Sequence, residues 1–188
     1  MLHAITLIVL WLFPISEVGL ALRKRATRSG ATAQDHGSVQ ALWITFGLAI
    51  AGAVLLAYRH WLPLGLGQTV DEALVVGFMA SGMILRWSAI RTLGRFFTVD
   101  VAIHPDQTVV QSGPYAWVRH PSYSGLLLLL LGLGFQFRDG LSMAVLLVPS
   151  AWVIWNRIRV EERALAAALG APYAAYCLRT RRLVPGLL

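Results

Sequence analysis

The chain has one cysteine, Cys177, and one lysine, Lys24, in 188 residues. A lone cysteine excludes a disulfide framework and any Cys-based zinc site. Charged residues make up only 13%, whereas a soluble domain carries about 25%. Scarce charge with high hydrophobicity also excludes disorder, which needs the opposite balance. No G-x-G-x-x-G, P-loop or H-E-x-x-H motif is present. The five histidines have no metal-ligand spacing, so no metal is expected. Strand and helix patterns do not alternate, which excludes a Rossmann-type site.

What the chain has is apolar length. Hydrophobic residues reach 57%, above the roughly 45–50% of soluble proteins. A membrane helix needs roughly 20 apolar residues. Candidate spans are Leu2 to Leu22, Ala41 to Tyr58, Ala73 to Ile90, Tyr123 to Phe137 and Leu141 to Trp155. The first is interrupted by Pro14 and Glu17, and its positive charge follows it, which reads as an uncleaved span rather than a signal peptide. Thr27 to Ser38 reads as a solvated linker. Arg86, in the last turns of the third span, is expected to snorkel to the interface. The last two runs are short and separated by Arg138-Asp139-Gly140, a tight-turn signal; a re-entrant hairpin is the competing reading.

The net charge of +7 is carried by basic residues at the ends of apolar runs, which points to membrane topology rather than nucleic acid. With the N-terminus outside, the inner segments hold fourteen basic residues and the outer ones two, Arg59 and Arg138. The expectation is an all-α integral membrane protein of about five transmembrane helices, the last two a short hairpin, followed by a cytoplasmic C-terminal helical segment. All of 1–188 should form one embedded domain, with three spans in 1–90. Near-exclusive use of arginine, with abundant Ala, Gly and Leu, suggests a GC-rich bacterial genome and hence a bacterial inner membrane.

Polar chemistry gathers in the second half. The densest stretch runs from Gly113 to Gly125 and contains Tyr115, Arg119, His120, Pro121, Ser122 and Tyr123. Pro121 suits a helix first turn, and the residue before a proline is biased out of the helix. His120 should therefore sit at a helix mouth among open N–H groups that attract anions. An aromatic and Arg belt anchoring a helix end is the plainer reading. A second stretch holds Arg157, Arg159, Glu161 and Glu162. Arg157 and Glu161 share a face, as do Arg159 and Glu162, so surface pairing competes with a substrate site where a span leaves the bilayer. The third stretch joins Gly170, Pro172, Tyr173 and Tyr176 to a basic tail. It reads as an amphipathic segment on anionic lipid or as a lid.

Together these stretches resemble the isoprenylcysteine carboxyl methyltransferase family, and more distantly the phospholipid N-methyltransferases. The resemblance covers roughly Arg91 to Leu187. It rests on Gly113, Tyr115, Arg119, His120, Pro121, Tyr123 and Gly125, then Arg157, Glu161, Glu162 and Leu165, then Gly170, Tyr173, Tyr176, Arg182 and Pro185. It implies an enzyme that uses S-adenosylmethionine, with 91–188 as the methyltransferase core and an inner-face cofactor pocket closed by the C-terminal segment. Gln107, Thr108, Val109, Val110, Tyr115, His120, Pro121, Ser122, Tyr123 and Glu161 match cofactor-contacting positions. Arg157 matches the position facing the acceptor, and Arg157 and Glu161 are the implied catalytic pair. Asp100 stands where some members carry an amide or a cation. The first 90 residues match in apolar character alone and are expected to shape a lipid-substrate entrance.

The implied partners are the bilayer and a lipophilic small-molecule or prenylcysteine-like acceptor. Esterification of a carboxylate needs no general base, since the acceptor is ionised at neutral pH. A phenol or a phospholipid amine would need one, and Glu161 is the candidate. A membrane scaffold without activity is the remaining alternative.

Overall fold

The structure, a computed structural model, describes residues 2–23, 32–33 and 37–186. Lys24, Arg25, Arg28 and most of the expected linker from Thr27 to Ser38 lie outside the described residues. The helices are α1 (Leu2–Arg23), α2 (Ser38–Ala57), α3 (Gln68–Leu93), α4 (Pro121–Gln136), α5 (Gly140–Leu169) and α6 (Ala171–Arg179). Two 3-10 turns, Gly94–Phe96 and Gly113–Ala116, punctuate the stretch between α3 and α4. The two-residue strands β1 (Thr32–Ala33) and β2 (Ala102–Ile103) pair antiparallel, Thr32 opposite Ile103.

The fold is all-helical, and α2, α3 and α5 are long and apolar enough to cross a membrane. The apolar part of α1, Ala4–Leu20, and the 16 residues of α4 are shorter. At 1.5 Å per residue α4 spans roughly 24 Å. The 30 residues of α5 reach roughly 45 Å, well beyond a hydrocarbon core of about 30 Å. The part of α5 beyond its apolar run begins at Arg157, so the candidate chemistry stands on a rigid extension of a span-length helix.

Two packing seams hold these helices. On one, Leu42, Phe46, Ala49 and Ala53 of α2 meet Leu146, Val153, Ile154 and Ile158 of α5, with Leu126 and Leu130 of α4 behind them. On the other, α3 and α4 approach to backbone contact. A Cβ on Gly82 would lie 2.6 Å from the Gly125 carbonyl, and one on Gly125 would lie 2.7 Å from the Gly82 carbonyl. Small residues are what permit such a crossing between apolar helices. Helix α1 packs on α3 through Leu20, Ile90 and Phe97. Its outer face, with Ile8, Trp11 and Ile15, is exposed, as are Ile44, Leu48 and Leu55 of α2. These faces suit acyl chains as neighbours.

The turn between α4 and α5 is tight, as its sequence predicts. Arg138 has φ +54°. Asp139 caps α5, accepting from Ser142 N–H at 2.8 Å and Ser142 Oγ at 2.9 Å. Its other oxygen accepts from Leu62 N–H at 2.7 Å, tying in the loop after α2. Hydrogen bonding from Ser142 holds the Asp139 carboxyl below its ordinary range.

One expectation is corrected. Arg86 does not snorkel; it is buried and gripped from three directions. Its Nε and Nη2 donate to the two oxygens of Glu17 at 2.6 and 2.7 Å. Its Nη1 donates to Ser122 Oγ at 2.7 Å and to the Ser122 carbonyl at 3.2 Å. An ion buried among apolar helices needs a partner more than it needs an interface. Glu17, which interrupts the first apolar run, is that partner.

Candidate active site

Helix α4 begins as the sequence requires. His120 stands at the N-cap with φ −124°, and Pro121 occupies the first turn. Most of the N–H donors expected to be open are, however, occupied. The N–H groups of Tyr123 and Ser124 bond back to the His120 carbonyl at 3.0 and 3.1 Å. Those of Arg119 and His120 donate to the carbonyls of Arg181 and Arg182 at 2.7 and 2.9 Å. The C-terminal tail thus lies along residues 118–120, and Ser124 Oγ adds a bond to the Leu183 carbonyl at 2.6 Å.

Glu162 locks this crossing from below. One of its oxygens accepts from Arg119 Nε at 3.0 Å and lies 3.4 Å from His120 Nε2. The other accepts from Arg182 Nε at 2.9 Å. The pairing of Glu162 with Arg159, expected from helix spacing, gives way to these partners, because α5 here is covered by other chain segments rather than by solvent. Tyr176 on α6 completes the cover, its hydroxyl donating to the Tyr115 carbonyl at 2.7 Å. Burial raises the Tyr176 hydroxyl to about 12. Tyr115 is pushed up further, first by burial and then by the charge of Glu161.

Above this lies a cavity of about 340 Å³. Ten of the eleven residues singled out from the sequence line it: Gln107, Thr108, Val109, Val110, Tyr115, His120, Ser122, Tyr123, Arg157 and Glu161. Pro121 does not; it is buried behind the helix start. Gln107 is partly committed, since its Oε1 accepts from His104 N–H at 2.9 Å. Arg157 and Glu161 share a helix face as expected, and Tyr123 stands between them. Its hydroxyl accepts from Arg157 Nε at 2.8 Å and donates to Glu161 Oε2 at 2.9 Å. Arg157 Nη1 donates to Ser38 Oγ at 2.8 Å, and Nη2 donates to the Val99 carbonyl.

Much of the remaining cavity wall is apolar and comes from α1 and α2. Phe13 and Pro14 of α1, and Leu42, Trp43, Phe46 and Ile50 of α2, face the same space as Arg157 and Glu161. Glu17 and Arg86 line it too, as do Phe97 and residues 98–102, Asp100 among them. Sequence reasoning missed these as site residues. The one available signal was an acid and a base, each alone in an apolar run, which is reason to expect a buried pair.

The molecule is therefore an all-helical protein with span-length apolar helices and a large cavity where a polar end meets an apolar wall. The sequence profile of the isoprenylcysteine carboxyl methyltransferase (ICMT) family matches residues 75–167. The matched stretch carries the motifs, and the resemblance drawn from them is borne out. It is 32% identical over 133 residues to protein-S-isoprenylcysteine O-methyltransferase B of Arabidopsis thaliana, covering 68% of this chain and 61% of that protein. It is 35% identical over 123 residues to the protein-S-isoprenylcysteine O-methyltransferase of Schizosaccharomyces pombe, covering 62% of this chain and 49% of that one. A solved eukaryotic intramembrane Ras methyltransferase ICMT superposes with a TM-score of 0.58 at 25% identity, covering 77% of this chain and 52% of that one. The chain thus spans between about half and three fifths of the length of these three relatives. A methyltransferase family implies a methyl donor.

Proposed function

We propose that this chain is an S-adenosylmethionine-dependent membrane methyltransferase that esterifies the carboxylate of a lipophilic, isoprenylcysteine-like acceptor. The observation that carries this reading is the continuous cavity that runs from the Arg157–Tyr123–Glu161 cluster to an apolar wall on α1 and α2. An amphiphile fits such a space with its head at Arg157 and its tail toward the hydrocarbon. The donor set also fits S-adenosylmethionine. Glu161 offers an anion to a cationic ligand, and Tyr115, His120, Ser122 and residues 107–110 offer varied hydrogen-bonding groups around it. Pro121 contributes by setting the start of α4.

When bound, the cofactor supplies an electrophilic methyl group on a sulfonium centre. The chain's own task is alignment, because a cation and an anion lose charge as they react. Arg157 orients the acceptor carboxylate. Its planar guanidinium can give a carboxylate a charge-assisted paired bond. Tyr123 fixes Arg157 and Glu161 relative to each other. Glu162, Arg119 and Arg182 keep the tail over the site and water away from it.

We read the topology as five crossings, N-terminus outside, with α6 and the cavity mouth cytoplasmic, in a bacterial inner membrane. The support is the excess of fourteen basic residues over two on the inner side. We read 1–188 as one embedded domain, since α1 and α2 contribute to the same cavity wall as 91–188. Calorimetry on the detergent-solubilised protein tests the function: Arg157→Ala should retain S-adenosylmethionine binding and lose transfer to a prenylcysteine. Full transfer by Arg157→Ala overturns the assignment of Arg157 to the acceptor.

A further inference from the structure

Four buried side-chain atoms have no hydrogen-bond partner among the described residues: Asp71 Oδ1, His104 Nε2, Ser150 Oγ and Tyr173 Oη. Tyr173 is the one residue of the four that lines the large cavity. It is 5% exposed. Its neighbour on the same face of α6 shows what a satisfied buried tyrosine looks like: Tyr176 donates to the Tyr115 carbonyl at 2.7 Å. A buried hydroxyl left without a partner is unfavourable, and a cavity wall is where a ligand can supply one.

We propose that Tyr173 Oη is a cofactor contact, donating a hydrogen bond to an acceptor oxygen or nitrogen of bound S-adenosylmethionine, so that α6 is part of the binding site as well as its cover. The inference rests on the proposed function and adds a residue to it. Burial, with Cys177 and the carboxylates of Glu162 and Glu161 nearby, holds the proton on the phenol. The hydroxyl therefore stays a donor across the working pH range. Because α6 follows α5 directly through Gly170, the contact links ligand binding to the seating of the tail.

Tyr173→Phe removes the hydroxyl and nothing else, and the two readouts should move in opposite directions. Without ligand, the variant should melt at the wild-type temperature or higher, since an unsatisfied buried group has gone. Calorimetry with S-adenosylmethionine and S-adenosylhomocysteine should show about 5- to 30-fold weaker binding, which is about 1–2 kcal/mol at 1.4 kcal/mol per tenfold. Tyr176→Phe gives the contrast: it breaks a made bond and should lower the melting temperature. Wild-type affinity in Tyr173→Phe overturns the proposal. So does a lower melting temperature without ligand, which would show that the hydroxyl has a structural partner. If the wild-type protein binds neither compound, the proposed function fails and the inference fails with it.

Discussion

The Glu17–Arg86 pair joins α1 to α3 at the cavity wall, Arg86 also bonding Ser122 at the start of α4, and its removal has a calculable signature. Each side chain is 9% exposed, and the guanidinium makes two bonds to the carboxylate at 2.6 and 2.7 Å. Glu17→Leu leaves a guanidinium that cannot shed its charge buried without an anion. Breaking one partner of such a pair costs about 3–5 kcal/mol. For a chain of this size that is a fall in melting temperature of roughly 6–20 °C. Replacing both partners removes the stranded charge. The double variant Glu17→Leu, Arg86→Met should therefore recover most of the loss, falling short by about 1 kcal/mol for the bond to Ser122 Oγ. Thermal melts in one detergent, monitored by the tryptophans, compare the three proteins. A double variant no more stable than Glu17→Leu alone would refute the argument that the charges, rather than the packing of α1, dominate here. A wild-type melting temperature in Glu17→Leu would refute the pairing itself.

Further outcomes follow from other contacts. Gly125→Ala puts a Cβ 2.7 Å from the Gly82 carbonyl and 2.8 Å from the Arg86 nitrogen; it should cost about 1–3 kcal/mol by overpacking, read as a lower melting temperature. Asp139, held below its ordinary pKa of 3.8 by Ser142, contributes stability that is complete above that value and lost as pH falls through the lowered one. Asp139→Asn should lose this acid-side dependence, measurable as melting temperature against pH. Arg157→Lys should rescue transfer poorly compared with wild type, because an ammonium cannot reproduce the planar fork; single-turnover assays report it. Reporter fusions at Leu188 and within residues 59–70 should lie on opposite sides of the membrane, and finding both on one side would contradict the topology.

Much of the site is legible in the sequence because its residues sit at helix ends, where local rules act. Pro121 fixes where α4 starts, Gly170 where α5 stops, and Arg138-Asp139-Gly140 where the chain reverses. Tyr123, Arg157 and Glu161 follow from those starts and stops by helix periodicity. What local rules do not carry is the pairing of distant segments. Glu162 has Arg159 three residues away, yet its bonds go to Arg119, 43 residues away, and Arg182, 20 residues away. The N–H groups at the mouth of α4 look open until the tail is laid beside them. Arg86 reads as a snorkelling residue until Glu17, 69 residues upstream, is brought against it. The apolar wall from α1 and α2 was hidden for another reason: residues such as Trp43 and Phe46 carry no mark that separates a cavity face from a lipid face.

Methyl transfer to a lipophilic carboxylate is measured directly with S-adenosylmethionine labelled in its methyl group. The purified protein would be incubated in lipid–detergent micelles with a prenylcysteine, phosphatidylethanolamine or an alkyl phenol in separate reactions. Label is expected in the prenylcysteine alone, released as methanol by mild base as a methyl ester must be. Label in the amine or the phenol, or in none of the three, would contradict the proposed function.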